Sequence, residues 1–441
     1  MLVKYHLVTL GCAKNTVDSM RLEQALRTGR HVAVSAPGDA DLLVVNTCGF
    51  IDAAKDESVA VVRALDAARR PGQRLYVVGC MTQIAEHEVR AAVPNVDATF
   101  GVEQWDEIAA SLGAASETYD IPDAVLPVLG APSAYLKISD GCDRPCTFCI
   151  IPAIKGGMHS APARRLIAEA RMYAAAGAKE LVLVAQDSTA YGEDGAPGDG
   201  GRDGLAALLE ELSAAVPDVP WIRLMYAYPG RVTPRLAEAM AALPNVVPYL
   251  DMPLQHGSDA VLRRMKRPTL LRSRQSIEAI RRAIPDVTLR STFIVGFPGE
   301  TEAEFRELLR FVEEERIDHV GAFTYSPQIG TPAAAYGDQI PEPVKQERYG
   351  RLMELAQGIS HDANRAQVGR EVDVLVESRE PGRSATGEPI AIGRTARDAP
   401  EVDGLALVKG THPMGAVVRV RVDGALPYDL LCTPVEALAR P

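Results

Sequence analysis

The chain has 441 residues, 47% of them hydrophobic and 24% charged, which suits a soluble globular protein of two to four domains. Its net charge of −11 excludes a protein that is basic overall, so any phosphate-binding face must be local. No uncharged apolar run approaches the roughly 18 residues of a membrane span, and MLVKYHLVTLGC carries no small-residue cleavage site, so a cytoplasmic protein without membrane contact is expected.

In chain order, VKYHLVTL (3–10), DLLVVNT (41–47) and RLYVVG (74–79) are β-rich runs without strict alternation, as in parallel strands covered on both faces. Helical patterns at Val17–Arg27, Ala53–Ala68 and Gln83–Ala92 follow them, which predicts an N-terminal parallel βαβ domain. Residues 113–133 lack periodicity and read as a linker. Strands are then predicted at Tyr135–Ser139, Glu180–Ala185, Trp221–Tyr226, Tyr249–Pro253, Thr288–Gly296 and His319–Tyr325. Six β/α units suggest a full or partial TIM-type (β/α) barrel. The Gly- and Asp-rich stretch 192–204 reads as a mobile loop after the second strand. A long helix over Glu342–Gln367 leads to VDVLVES, ALVKG and AVVRVRVDGA, β-rich runs separated by Gly-bearing turns, as in a small antiparallel barrel. The α/β chain thus divides into 1–115, 128–365 and 368–437.

Seven cysteines in a cytosolic chain point to metal or catalysis rather than disulfides. DGCDRPCTFCIIP places Cys142, Cys146 and Cys149 just after the strand AYLKIS, where barrel enzymes keep their active sites. Three thiolates on so short a loop can wrap one face of a [4Fe–4S] cubane and leave the fourth iron open. Zinc is the alternative, and His159, ten residues on, is its available fourth ligand. Cys12, Cys48 and Cys80 are dispersed, but each ends a strand, in TLGC, VNTC and VVGC. Parallel strands end on one side of their sheet, so these thiols are expected to converge and hold a second cluster. Gly11, Gly49 and Gly79 beside them would let the backbone approach a bulky ligand. Three buried structural cysteines are the plainer alternative, and Cys432, alone, reads as a small core residue.

With Phe148 before its last Cys, the C-x3-C-x-Φ-C motif resembles the radical S-adenosylmethionine superfamily. That resemblance implies that S-adenosylmethionine chelates the open iron and is cleaved to a 5′-deoxyadenosyl radical, which abstracts hydrogen from carbon. It also implies cofactor contacts from Phe148, from Gln186 and Asp187 near the amino group, and from Gly296 along the adenine. Together with the three-Cys N-terminal domain and a C-terminal barrel similar to the oligonucleotide-binding-like TRAM domain, the whole chain resembles the methylthiotransferases. LGCAKNTVDS, VNTCGFIDAAKDES, AQDSTAYG and RTARDAPEVDG resemble the branch that modifies an aspartate of ribosomal protein S12. The tRNA-modifying branch carries Gln-Met-Asn where this chain has Ala13-Lys14-Asn15. The resemblance implies two [4Fe–4S] clusters, S-adenosylmethionine used as methyl donor and as radical source, S12 as partner and a reductant protein such as a flavodoxin. A tRNA adenosine methylthiotransferase is the near alternative, and a two-cluster electron carrier the distant one.

The family's usual Arg-Gly start and Ser-Arg-Pro end after the cluster motif are here Lys155-Gly156-Gly157 and Ser160-Ala161-Pro162, with Arg164 or Arg165 as candidate substitutes for the missing arginine. Residues 369–441 hold nine Lys/Arg and eleven Asp/Glu, a net charge of −2. That suits a basic protein partner better than phosphates and argues against tRNA. A local basic patch at Arg419 and Arg421 is the counter-argument, while Glu377, Glu380, Asp398, Glu401 and Asp403 read as exposed acidic contacts.

Overall fold

A computed structural model describes residues 2–102, 104–112, 131–195, 201–384 and 386–435. The linker over 113–130, the centre of the Gly-rich loop at 196–200 and the domain limits expected at 115, 128 and 437 lie outside these residues. Among the described residues no helix is long and apolar enough to cross a membrane.

The N-terminal part runs β1 (Lys4–Thr9), α1 (Ala13–Thr28), β2 (Val32–Ala33), β3 (Leu42–Thr47), α2 (Asp52–Ala67), β4 (Arg74–Gly79), α3 (Cys80–Ala92), β5 (Ala98–Phe100) and α4 (Trp105–Ser111). Its five strands pair in the order β2-β1-β3-β4-β5, all parallel. Leu22, Leu26, Trp105 and Ile108 cover one face, and Val62, Met81, Ala85 and Val89 cover the other. Every residue of β3 is therefore buried, which is why its sequence shows no alternation.

The central part continues with β6 (Ser133–Lys137), β7 (Ser139–Asp140), α5 (Ile151–Lys155), β8 (His159–Ser160), α6 (Ala163–Ala175), β9 (Glu180–Val184), α7 (Gly204–Ala215), β10 (Trp221–Leu224), α8 (Pro234–Ala242), β11 (Val246–Asp251), α9 (Asp259–Arg264), α10 (Leu270–Ala283), β12 (Thr288–Val295), α11 (Glu302–Glu315), β13 (His319–Thr324) and α12 (Glu342–Arg365). Six parallel strands pair in chain order, β6-β9-β10-β11-β12-β13, with β6 and β13 at the edges, so the barrel is partial. The outer helices bury a large apolar core against the sheet. The inner face is filled differently. Val182, Val184, Trp221, Met225, Val247 and Tyr249 meet Val17 of α1 from one flank of the chain, and Leu375 and Ala399 from the other.

The last part comprises β14 (Glu371–Val376), β15 (Gly382–Arg383), β16 (Pro389–Thr395), β17 (Ala406–Lys409), β18 (Val417–Ala425) and β19 (Leu430–Pro434). The order β14-β18-β19-β17-β16 closes through a β14–β16 pairing into a five-stranded barrel. It is antiparallel except for β17 and β19, which run parallel, a departure from the all-antiparallel expectation. Cys432 packs in its core.

The acidic surface expected on this barrel is mostly not surface. Asp398 is buried, the Asp403 side chain is buried, and Glu377 accepts two hydrogen bonds from Arg394 at 2.9 and 2.6 Å. Glu380 and Glu401 are exposed. The reason is electrostatic: the loop between β16 and β17 docks on the first residues of the central strands, where cations are buried. Arg394 donates to Glu180 at 2.6 Å, Arg290 pairs with Asp403 at 3.2 Å, and Tyr249 Oη donates to Asp403 at 2.6 Å. Burial opposes ionisation of Glu180, but Arg223 and Arg394 outweigh it and hold the carboxyl down at about 2. The supposed basic patch is neutralised in the same way, Arg419 by Asp373 at 3.2 Å and Arg421 by Asp423 at 3.1 Å.

Candidate active site

The loop carrying Cys142, Cys146 and Cys149 leaves the C-terminal end of the β6–β7 segment. It is pinned on both sides. Gly141 has φ +74°, and a Cβ there would overlap the Gly157 carbonyl, so the chain enters the loop against its own exit. The Cys142 N–H donates to Gly156 O at 3.1 Å. Thr147, fully buried, donates from Oγ1 to Arg264 O at 2.9 Å, and its N–H donates to Met265 O at 3.1 Å. Arg267 Nη1 stands 3.7 Å from Cys146 Sγ and its guanidinium stacks on Tyr228 at 4.2 Å. Burial pushes the Cys142 thiol up and the Cys149 thiol up to about 12.

The dispersed cysteines also come together. Cys12 is the N-cap of α1, Cys80 opens α3, and Cys48 lies just before α2. Gly11, at φ +94°, sits so close that a Cβ would lie 2.7 Å from Cys48 Cβ and 3.0 Å from its Sγ. A Cβ on Gly49 would meet Met81 Cα at 2.9 Å. Asn15, almost fully buried, donates to Leu10 O at 2.9 Å and to Thr47 O at 3.1 Å, and accepts from Cys80 Sγ at 3.4 Å. Burial raises Cys48, and pushes Cys80 up to about 12.

The two triads adjoin. Cys80 packs with Ile150, which directly follows Cys149, and with Ile154 of α5. Below them lies a buried cluster of four charges from three segments. Lys137 Nζ pairs with Asp18 at 2.5 Å and Asp140 at 2.6 Å, and Lys155 Nζ pairs with the same two carboxylates at 2.8 and 3.3 Å. Burial disfavours the charged ammonium of Lys155, yet Asp18 and Asp140 hold its pKa well above the usual lysine range. Lys155 stands where the family's Arg-Gly start has arginine; of the candidate substitutes for the arginine missing at Ala161, Arg164 is exposed and Arg165 pairs with Glu169 at 2.9 Å.

The other residues singled out in the sequence lie around the Cys142–Cys149 loop. Gln186 Nε2 donates to Asp140 at 2.7 Å, and its Oε1 is buried with no partner among the described residues. Asp187, buried, accepts from Arg144 Nε at 2.7 Å and from Thr189 at 2.6 Å. Phe148 packs with Phe297, Tyr325 and Ile294. Gly296 has φ +71°, and the methylenes of Lys345 fill the place of its side chain. His159 is exposed on β8. Among the described residues no group of three or more His, Cys, Asp or Glu side chains is arranged to hold a single metal ion. The fit to a polynuclear cluster therefore rests on two sets of three soft sulfur donors and on the close approach that Gly11 and Gly49 permit.

Asn15, Asp18, Lys137, Asp140, Lys155, Arg144 and Arg267 were not legible as site residues from sequence. One signal was available: a lysine inside the apolar run AYLKIS must be buried, and a buried ammonium demands carboxylates.

Three family models match: Uncharacterized protein family UPF0004 over residues 4–101, the Radical SAM superfamily over 136–312, and the TRAM domain over 368–435. The chain is 46% identical over 456 residues to a protein of Chloroflexus aurantiacus named ribosomal protein uS12 methylthiotransferase RimO, covering 97% of this chain and 99% of that one. A protein of the same name from Moorella thermoacetica is 45% identical, over 96% of each chain. Among solved structures, the radical S-adenosylmethionine methyltransferase TsrM from Kitasatospora setae, with tryptophan and a cofactor analogue bound, superposes with a TM-score of 0.56 at 13% identity, covering 82% of this chain and 90% of that one. At that identity the likeness is one of fold.

Proposed function

This chain belongs to the RimO family of ribosomal protein uS12 methylthiotransferases, and we propose that it replaces a hydrogen on an aspartate side chain of uS12 with a methylthio group, using one [4Fe–4S] cluster on each cysteine triad. The observation that carries this reading is the adjacency of the triads, with Cys80 packed against Ile150, the residue after Cys149, and Ile154 of α5. An electron carrier would need the clusters but not the open barrel mouth around Gln186, Arg144 and Tyr228.

Bound at Cys142, Cys146 and Cys149, the cluster with S-adenosylmethionine supplies a radical able to take hydrogen from an unactivated carbon. The chain's own residues then have definable tasks. Arg267 donates toward Cys146 Sγ and so draws charge from that sulfur. The unpartnered Gln186 Oε1 is a ready acceptor for an amino group, while its Nε2 keeps it in place on Asp140. Asp187 holds Arg144 over Tyr228, at 4.8 Å from the ring, rather than standing free as an acceptor. Phe148, Phe297 and Tyr325 exclude water on the other side. Cys12, Cys48 and Cys80 would hold the second cluster, which would supply the sulfur. A flavodoxin-type protein is the expected reductant.

The test is the mass of uS12 and of tRNA after reaction with the purified chain, S-adenosylmethionine, a sulfur source and a reductant. A methylthio group on uS12 and none on tRNA is the expected result. Methylthiolated tRNA adenosine with unchanged uS12 would overturn the assignment.

A further inference from the structure

The geometry points to Lys14 as the residue that receives the carboxylate of the substrate aspartate and so places its side chain between the two triads. This deepens the uS12 reading and rests on it. Lys14 lies in the first turn of α1, two residues beyond Cys12, but its side chain leaves its own domain. Its Nζ sits 3.4 Å from the centroid of Tyr226, at the C-terminal end of β10, inside the partial barrel. Ala13 and Val17 pack on the same inner face as Tyr226, so α1 carries this ammonium into the lumen as a rigid element.

Two features make the ammonium ready for an anion. First, it forms no ion pair with a carboxylate among the described residues. Asp251, the carboxylate beside Tyr226, is already taken by Arg290 Nη1 at 3.0 Å and by the Tyr226 N–H at 3.0 Å. The first turn of α1 holds no acidic residue, so the positive end of the helix adds to Lys14 instead of being neutralised. A partly buried ammonium that rests on the Tyr226 side chain still has N–H donors to satisfy. Second, Tyr226 has φ +62°, a conformation that non-glycine residues keep only where the surroundings impose it, and such positions cluster where ligands are clamped. The strained turn puts the ring under the ammonium.

The chemistry then fits the reaction. The aspartate carboxylate survives the substitution and is bonded directly to the carbon that is modified. Fixing that carboxylate at Lys14 fixes the carbon beside Cys12, whose triad presents the sulfur, at the mouth where Gln186 lies. Lys14 in this role is a positioning residue that also selects for an acidic side chain.

The experiment compares the reconstituted holoenzyme, K14M, K14Q and K14R in their binding to uS12 carrying either the target aspartate or asparagine in its place. The wild type should bind the aspartate form about tenfold more tightly than the asparagine form, because a charge-assisted hydrogen bond is lost. K14M and K14Q should bind the two forms equally, and K14R should restore most of the difference. Iron content reports folding, and the two neutral variants differ in shape, so loss of iron in one leaves the other readable. Undiminished preference for aspartate in K14M or K14Q would overturn the role of Lys14. A wild type that binds neither form of uS12 would instead overturn the proposed function on which it stands.

Discussion

The thiol of Cys80 and the side-chain carbonyl of Asn15 meet at 3.4 Å, across 65 residues of chain. Because Asn15 also donates to Leu10 O and Thr47 O, one buried amide touches the ends of the strands that carry Cys12 and Cys48 as well. Asn15→Ala should leave those carbonyls unsatisfied, at about 1–3 kcal/mol, and loosen the N-terminal triad selectively. The expected readout is about half of the roughly eight irons of the reconstituted wild type, with full S-adenosylmethionine cleavage. Full iron would show that the amide does not organise the triad.

The two triads should separate by function. Alanine at Cys142, Cys146 and Cys149 should leave about half the iron and abolish 5′-deoxyadenosine formation. Alanine at Cys12, Cys48 and Cys80 should also leave about half, keep 5′-deoxyadenosine formation and lose sulfur insertion. Iron analysis with product chromatography measures both, and retention of all iron in the second variant would refute a cluster at the strand ends.

Asp18 is the N-terminal domain's contribution to the buried charges beneath the triads. Asp18→Asn leaves Lys137 and Lys155 sharing Asp140 alone, an imbalance expected to cost about 3–5 kcal/mol. Hydrogen exchange should then rise in α1 and α5 together. Unchanged protection in α5 would mean that the network does not couple the domains.

Glu180 predicts an acid dependence. Burial works against its ionisation, but Arg223 and Arg394 bring the folded value from 4.5 down to about 2. The carboxylate therefore contributes stability fully above about pH 4.5 and loses it as pH falls toward 2. Glu180→Gln should be less stable than wild type near neutrality by about 3–5 kcal/mol, because buried Arg223 loses its counter-charge and Arg394 keeps only Glu377. The gap should narrow in denaturant titrations at about pH 3. A gap that widens on acidification would reverse the assignment.

Glu380 and Glu401 remain as exposed acids on the C-terminal barrel. Reversal of both to Lys should slow association with uS12 several-fold at low salt and leave no difference at high salt. Stopped-flow association rates measure this, and a salt-independent effect would point to packing instead of steering.

The sequence by itself determined the element order, the parallel character of the first two sheets and the cysteine positions. Hydrophobic runs without alternation, such as LLVVNT, encode burial on two faces locally, and three cysteines on one short loop need no tertiary information to be grouped. Even the dispersed cysteines were legible, because parallel strands share a polarity and place their ends on one side. What only the tertiary structure decided was how charge is paired across domains. Asp18 finds Lys155, Asp403 finds Arg290, and Lys14 finds Tyr226, over separations with no periodic signature. Sequence pattern reports how often a side chain faces a core, and it carries no record of which distant partner neutralises a buried charge. That pairing exists only once the two outer domains have closed onto the inner face of the barrel, where low polarity makes an unpartnered charge costly and so selects the partner.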